Sequence, residues 1–107
     1  MIYKFRSKAA ADVIMLGAAG DQMLRLIGRT PGPQGIVQYA QLGAAIAALE
    51  QAVAEDEAAF ARLQAEAQAA GEPVPRREDV TLRQRAWPLL ELMRQSLAQQ
   101  QDLVWGV

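Results

Sequence analysis

Residues 80–107, VTLRQRAWPLLELMRQSLAQQQDLVWGV, change hydrophobic period partway along, and that change limits what the chain can fold into. Leu82, Ala86, Leu89, Leu90, Met93 and Leu97 fall at offsets 0, 4, 7, 8, 11 and 15, which places all six on one face of a helix. Thr81 and Gln84 match the S/T-x-x-E/Q capping box, so the helix start is marked as well. Pro88 sits inside this helix, where it removes the N–H that would bond to the Gln84 carbonyl and predicts a kink. Leu103, Trp105 and Val107 then alternate with Val104 and Gly106, the period of a half-buried strand. A one-faced helix needs a surface to cover, and a lone short strand needs a sheet to join. The rest of the chain has to supply both.

The N-terminal end supplies strands. Residues 2–7 alternate, with Tyr3, Phe5 and Ser7 on one side and Ile2, Lys4 and Arg6 on the other. Residues 8–11 read as a turn and residues 12–16, DVIML, as the partner strand of a hairpin. Both faces of that second strand are apolar, which predicts an interior position or cover on both sides. Gly17 and Gly20 bracket an expected loop. Asp21 would then cap a short helix through Ile27, with Met23, Leu24 and Ile27 inward and Gly28 as the stop. TPGPQG at residues 30–35 excludes a helix, and Ile36 and Val37 suit a very short strand. Residues 40–70 read as one long helix, with Leu42, Ile46, Leu49, Val53, Phe60, Leu63 and Ala67 at heptad spacing and Asp56 as the polar break. A break at residues 54–57, folding the second half back, is the competing reading. Gly71, Pro73 and Pro75 end the helix and open a linker.

Composition narrows the chemistry. The chain has no Cys and no His, so it lacks disulfides, thiolate metal sites, the commonest general base and the commonest metal ligand. The net charge of −1 is unevenly spread: residues 1–40 carry +3, residues 41–72 carry −5 and residues 73–107 carry +1. Such asymmetry fits acidic and basic parts that face each other, within or between chains. Basic residues ahead of AAADVIMLGAA imitate a signal peptide, but Asp12 interrupts the apolar run, and no run approaches the ~18 apolar residues of a membrane span. The expected location is cytoplasmic, with no membrane contact.

Several residues outside the periodic segments carry a resemblance. They are Phe5, Ser7, Lys8, Ala9, Asp12, Val13 and Met15 near the start, and Pro31, Gly32 and Ile36 in the middle. Toward the end come Leu82, Arg85, Ala86, Pro88, Leu89, Glu91, Leu92, Val104 and Trp105. On these the sequence resembles a family of small bacterial proteins, the domain of unknown function 1840 family. The resemblance spans nearly the whole chain apart from the Ala-rich half of the long helix and the linker. It implies a small standalone protein whose two ends belong together, and it transfers no catalytic residue.

Each candidate site competes with a structural reading. Ser7 beside Lys8, with Asp12 across the turn, imitates a nucleophile and base, but no third group or oxyanion donor accompanies them, and a polar turn explains them. Lys4, Arg6 and Lys8 form a candidate anion-binding stripe, set against a solvated strand face. Glu55, Asp56 and Glu57 are consecutive helical positions about 100° apart and do not converge on one ion. Trp87, Pro88 and Trp105 suit packing better than a pocket. The PGPQG loop lacks the Lys-Ser or Lys-Thr of a phosphate-binding loop.

The expected fold is α+β and one domain over residues 1–107. A small, mostly antiparallel sheet holds the N-terminal hairpin and the C-terminal strand, packed against about three helices, one of them long. The expected function is non-catalytic, without cofactor or metal: a self-associating protein-interaction module, most simply a homodimer. Its candidate interface is Ile46, Leu49, Val53, Phe60 and Leu63 on the long helix, whose far end would overhang the core. The alternative is a binder of a small anionic ligand or nucleic-acid backbone through Lys4, Arg6 and Lys8. A pI of about 5.4 makes nucleic acid the weaker partner of the two.

Overall fold

The C-terminal strand takes the place the sequence reserves for it, against the first strand of the hairpin. The computed structural model describes residues 1–106; Val107, which the alternation placed in that strand, lies outside the described residues. The elements run β1 (Ile2–Ser7), β2 (Ala10–Leu16), α1 (Gly17–Leu26), β3 (Gly35–Val37), α2 (Tyr39–Ala69), α3 (Leu82–Ala98) and β4 (Leu103–Trp105). The sheet order is β2-β1-β4-β3, and all its pairings are antiparallel. This is the expected α+β fold.

One face of the sheet is dry. Tyr3, Phe5, Met15, Val37, Leu103 and Trp105 are buried in one cluster with Met23 and Leu24 of α1, Leu42 and Leu49 of α2, and Leu89 and Met93 of α3. Tyr3 stacks on Phe5 with ring centroids 5.7 Å apart, and Phe5 meets Trp105 edge-on at 5.9 Å. The Tyr3 hydroxyl donates to Asp21 Oδ1 from within the core. That hydrogen bond, burial, and the Asp21 charge hold the phenol above its ordinary value of 10.0. A pKa raised on folding gives stability that is whole below the unfolded value and fades as pH climbs through the folded one. The urea midpoint is therefore expected to drop on the alkaline side of about pH 10. Tyr3→Phe should flatten that drop, and an unchanged alkaline slope would refute the assignment.

Two expectations near the N-terminus need correction. The predicted loop between Gly17 and Gly20 is already helix, because α1 starts at Gly17 directly after β2. Glycine there serves close approach: a Cβ on Gly20 would sit 2.0 Å from a Tyr3 ring carbon. Asp21 is consequently inside the helix, bonded to Tyr3, and does not cap it. The hairpin turn is also tighter than predicted, with Ser7 paired to Ala10 after a register shift. Gly28 does end α1, with a φ of 84° and the Arg29 N–H bonded to the Leu24 carbonyl.

α2 is one unbroken helix of 31 residues, so the folded-back alternative is excluded. Asp102 caps it from 63 residues away, accepting from the Tyr39 N–H at 2.7 Å, which places an anion at the positive end of the helix dipole. A helix of this length runs ~46 Å, which accounts for overall extents of 52 × 28 × 22 Å. The linker returns along the overhanging half. Arg77 bonds the Asp56 carboxylate at 2.9 Å and lies 4.3 Å over the Phe60 ring, and Arg83 makes a two-pronged pair with Glu57 at 2.7 and 2.8 Å. Arg83 holds the Glu57 carboxyl below its ordinary value. These contacts are exposed and fasten the linker and the start of α3 to α2 more than they stabilise the fold.

α3 starts at the predicted cap: Thr81 Oγ1 accepts from the Gln84 N–H, and the Gln84 side chain accepts from the Thr81 N–H. Its buried stripe is Leu82, Ala86, Leu89, Leu90, Leu92, Met93 and Ser96; Leu97, predicted inward, is 36% exposed. Ser96 takes that place because its hydroxyl is satisfied. It donates to the Leu92 carbonyl at 2.6 Å and lies 2.7 Å from Ser7 Oγ, which can donate to it. Trp87, expected to pack, is 51% exposed, with the Arg94 guanidinium 5.5 Å from its ring. α3 runs through Pro88 without interruption.

Candidate functional site

The other face of the sheet has no helix on it. Along β1 it presents Ile2, Lys4 and Arg6, and along β2 Asp12, Ile14 and Leu16. Val104 and Ile36 continue the row that starts at Arg6, through the pairs Arg6–Val104 and Ile36–Val104. Ile2 lies directly across from Leu16, and Lys4 across from Ile14. The result is an apolar corner: Ile2, Ile14 and Leu16 are 64%, 66% and 72% exposed. Two apolar faces on β2 had implied an interior or doubly covered strand. β2 is instead an edge strand covered on one side only, and the second apolar face is left bare. The pattern was visible in DVIML, but periodicity does not distinguish a face covered within the chain from one that is not.

The charged residues of this face sit beside the corner. Lys4 Nζ and Arg6 Nε approach the same Asp12 oxygen at 3.6 and 3.9 Å. Lys8 lies in the hairpin turn and, with Arg6, lines a cleft of about 380 Å³ together with Ser7, Asp12, Gln101, Asp102 and Val104. Lys4 does not line it. Two carboxylates, Asp12 and Asp102, face the same space as the two cations Arg6 and Lys8, so the cleft is not a cationic funnel; Asp12 offsets one of the three positive charges of the Lys4, Arg6 and Lys8 stripe. Ser7 is occupied structurally: its oxygen accepts from the Ala9 N–H at 3.2 Å and touches Ser96. The carboxylates of Glu55, Asp56 and Glu57 turn to three different partners, Gln51, Arg77 and Arg83.

The candidate interface on α2 divides in two. Ile46, Leu49 and Val53 are buried in the chain's own core, at 8%, 0% and 3% exposure. Heptad spacing found them because one helical stripe serves a neighbouring helix of the same chain as well as a partner's. Phe60 lies half-buried beneath Arg77, and Leu63 remains 56% exposed. The largest group of exposed apolar side chains is thus on the sheet. Among the described residues, no helix is long and apolar enough to cross a membrane.

A second groove, of about 370 Å³, runs beside the open edge of β2, between residues 10–13 and Pro88, Glu91, Leu92 and Gln95 of α3. Pro88, read from sequence as a packing residue, is exposed and lines this groove.

One family model, described as Domain of unknown function (DUF1840), matches residues 1–105. No curated protein matches the chain, and no solved structure does.

Proposed function

The chain belongs to that family, and we propose that this protein acts as a non-catalytic interaction module that associates with copies of itself. The observation that carries the reading is the bare apolar corner formed by Ile2, Ile14 and Leu16 on a sheet face with no helix over it. Monomeric proteins rarely leave a contiguous apolar patch of more than a few hundred Å² in water. Burying each such side chain is worth up to about 3 kcal/mol.

The test is substitution at the corner. Ile14→Lys with Leu16→Lys places two charges on an exposed face, where the folded chain tolerates them. Light scattering after size exclusion should show the wild type heavier than one chain and the variant at one chain's mass, with an unchanged helical circular-dichroism spectrum. A variant that stays as heavy as the wild type would remove the apolar corner from the account.

A further inference from the structure

We infer that two copies join by pairing their β2 edges antiparallel about a two-fold axis, which turns two four-stranded sheets into one of eight strands. This rests on the self-association reading and specifies its geometry.

β2 is seven residues long, Ala10–Leu16, and among the described residues only β1 pairs with it. Sheet edges are commonly blunted by Pro, Lys, a bulge at the rim or a covering loop. β2 contains neither Pro nor Lys, its one charged residue is Asp12, and its one irregularity, a register shift between the Phe5–Val13 and Ser7–Ala10 pairs, lies at the turn end and leaves residues 13–16 regular. That charge is directed across the strand to Lys4 and Arg6 of the same chain. Two β2 edges therefore meet without bringing unpaired like charges together. Stacking the bare faces on each other would instead bury two cations for each carboxylate, which carries a desolvation penalty.

Side chains on both faces of the strand suit the seam. On the bare face, Ile14 and Leu16 would gain cross-strand neighbours. On the helix side, Val13 of the arriving strand would lie along the groove between β2 and Pro88, Leu92 and Gln95. Centring the pairing on Val13 sets Val13 against its mate and Ile14 against Asp12, with the irregular residues 10 and 11 at the ends of the seam. Such an isologous contact closes on itself and does not propagate. An edge of this length runs ~23 Å and a sheet is ~10 Å deep, so the seam buries less than the ~800 Å² per partner of a standard interface. The dimer should accordingly dissociate in the micromolar range.

The chain has no cysteine, so single-cysteine variants report contacts without background. Val13→Cys, Ile2→Cys and Leu63→Cys are oxidised with diamide and read on a denaturing gel. Val13 is on the helix-covered side of the sheet, where only an edge pairing can bring two copies of it together. The inference expects a cross-linked dimer from Val13→Cys in large excess over the other two. Cross-linking chiefly through Ile2→Cys or Leu63→Cys would overturn the edge geometry while leaving self-association standing. A wild type that is monomeric at all concentrations would overturn both. Because Val13→Cys can disturb the fold, amide exchange of the wild type gives a second reading. The β2 amides that point away from β1 should exchange severalfold more slowly in concentrated than in dilute protein. Equal exchange rates in a sample shown to be dimeric would overturn the pairing.

Discussion

Trp105→Ala is expected to lower stability by about 3–5 kcal/mol, the range for truncating a large aromatic in a core, against a total of about 5–15 kcal/mol for a domain of this size. Trp105 is 3% exposed. It pairs with Phe5 on one side and Gly35 on the other, so it ties β1 to β3 through β4. Its indole N–H donates to the Gly32 carbonyl at 3.2 Å, which holds the Pro- and Gly-rich loop against the sheet. Truncation removes ring packing, leaves that carbonyl without its donor and loosens the loop. The urea midpoint measures the loss, and Trp87→Ala is the control. Trp87 is 51% exposed with one cation near its ring, so its loss should cost no more than about 1 kcal/mol. Equal effects from the two tryptophans would mean that β4 does not organise the core.

Gly106→Ala should have a comparable effect for a different reason. Gly106 has a φ of 73°, and a Cβ there would sit 1.8 Å from the Pro33 carbonyl oxygen. The obstacle is backbone, so no side chain can swing away. Left-handed strain costs about 1–3 kcal/mol and overpacking about 1–3 more. The substitution is therefore expected to cost about 2–6 kcal/mol, or to pull the end of β4 off the loop. Gly43 supplies the contrast: it lies within α2 and a Cβ would meet nothing within 4 Å. Gly43→Ala should stabilise by about 0.5–1 kcal/mol through helix propensity. Thermal melts of the two variants should move in opposite directions, and a neutral Gly106→Ala would contradict the tight approach of the chain end to the loop.

The legible parts of the fold are those where local chemistry and packing agree. The Thr81 and Gln84 cap, the apolar stripe of α3 and the alternation of Tyr3 and Phe5 each gave an element its place, because capping and periodicity act within a few residues. The positions of Gly17, Gly20 and Asp21 did not, since a helix beginning in Gly and Ala is held by contacts with β1 that lie far away in sequence. Ser96 was missed for a related reason: a buried hydroxyl is tolerable only once the Leu92 carbonyl is known to accept from it and Ser7 to lie within hydrogen-bond distance.

The candidate surface was half legible. DVIML showed two apolar faces, yet whether the second is covered depends on strand order, which no local pattern encodes. Heptad spacing on α2 directed attention to Ile46, Leu49 and Val53, which the chain's own sheet and helices bury. Lys4, Arg6 and Lys8 were read as a cationic stripe, and the pairing of β1 with β2 adds that Asp12 approaches Lys4 and Arg6.

Sedimentation equilibrium of the unmodified protein over a wide concentration range tests self-association most directly. The account predicts an average mass that rises from 11.6 kDa toward twice that value as concentration passes through the micromolar range and then levels off, as a closed two-fold dimer requires. A mass that stays at 11.6 kDa through hundreds of micromolar would contradict it.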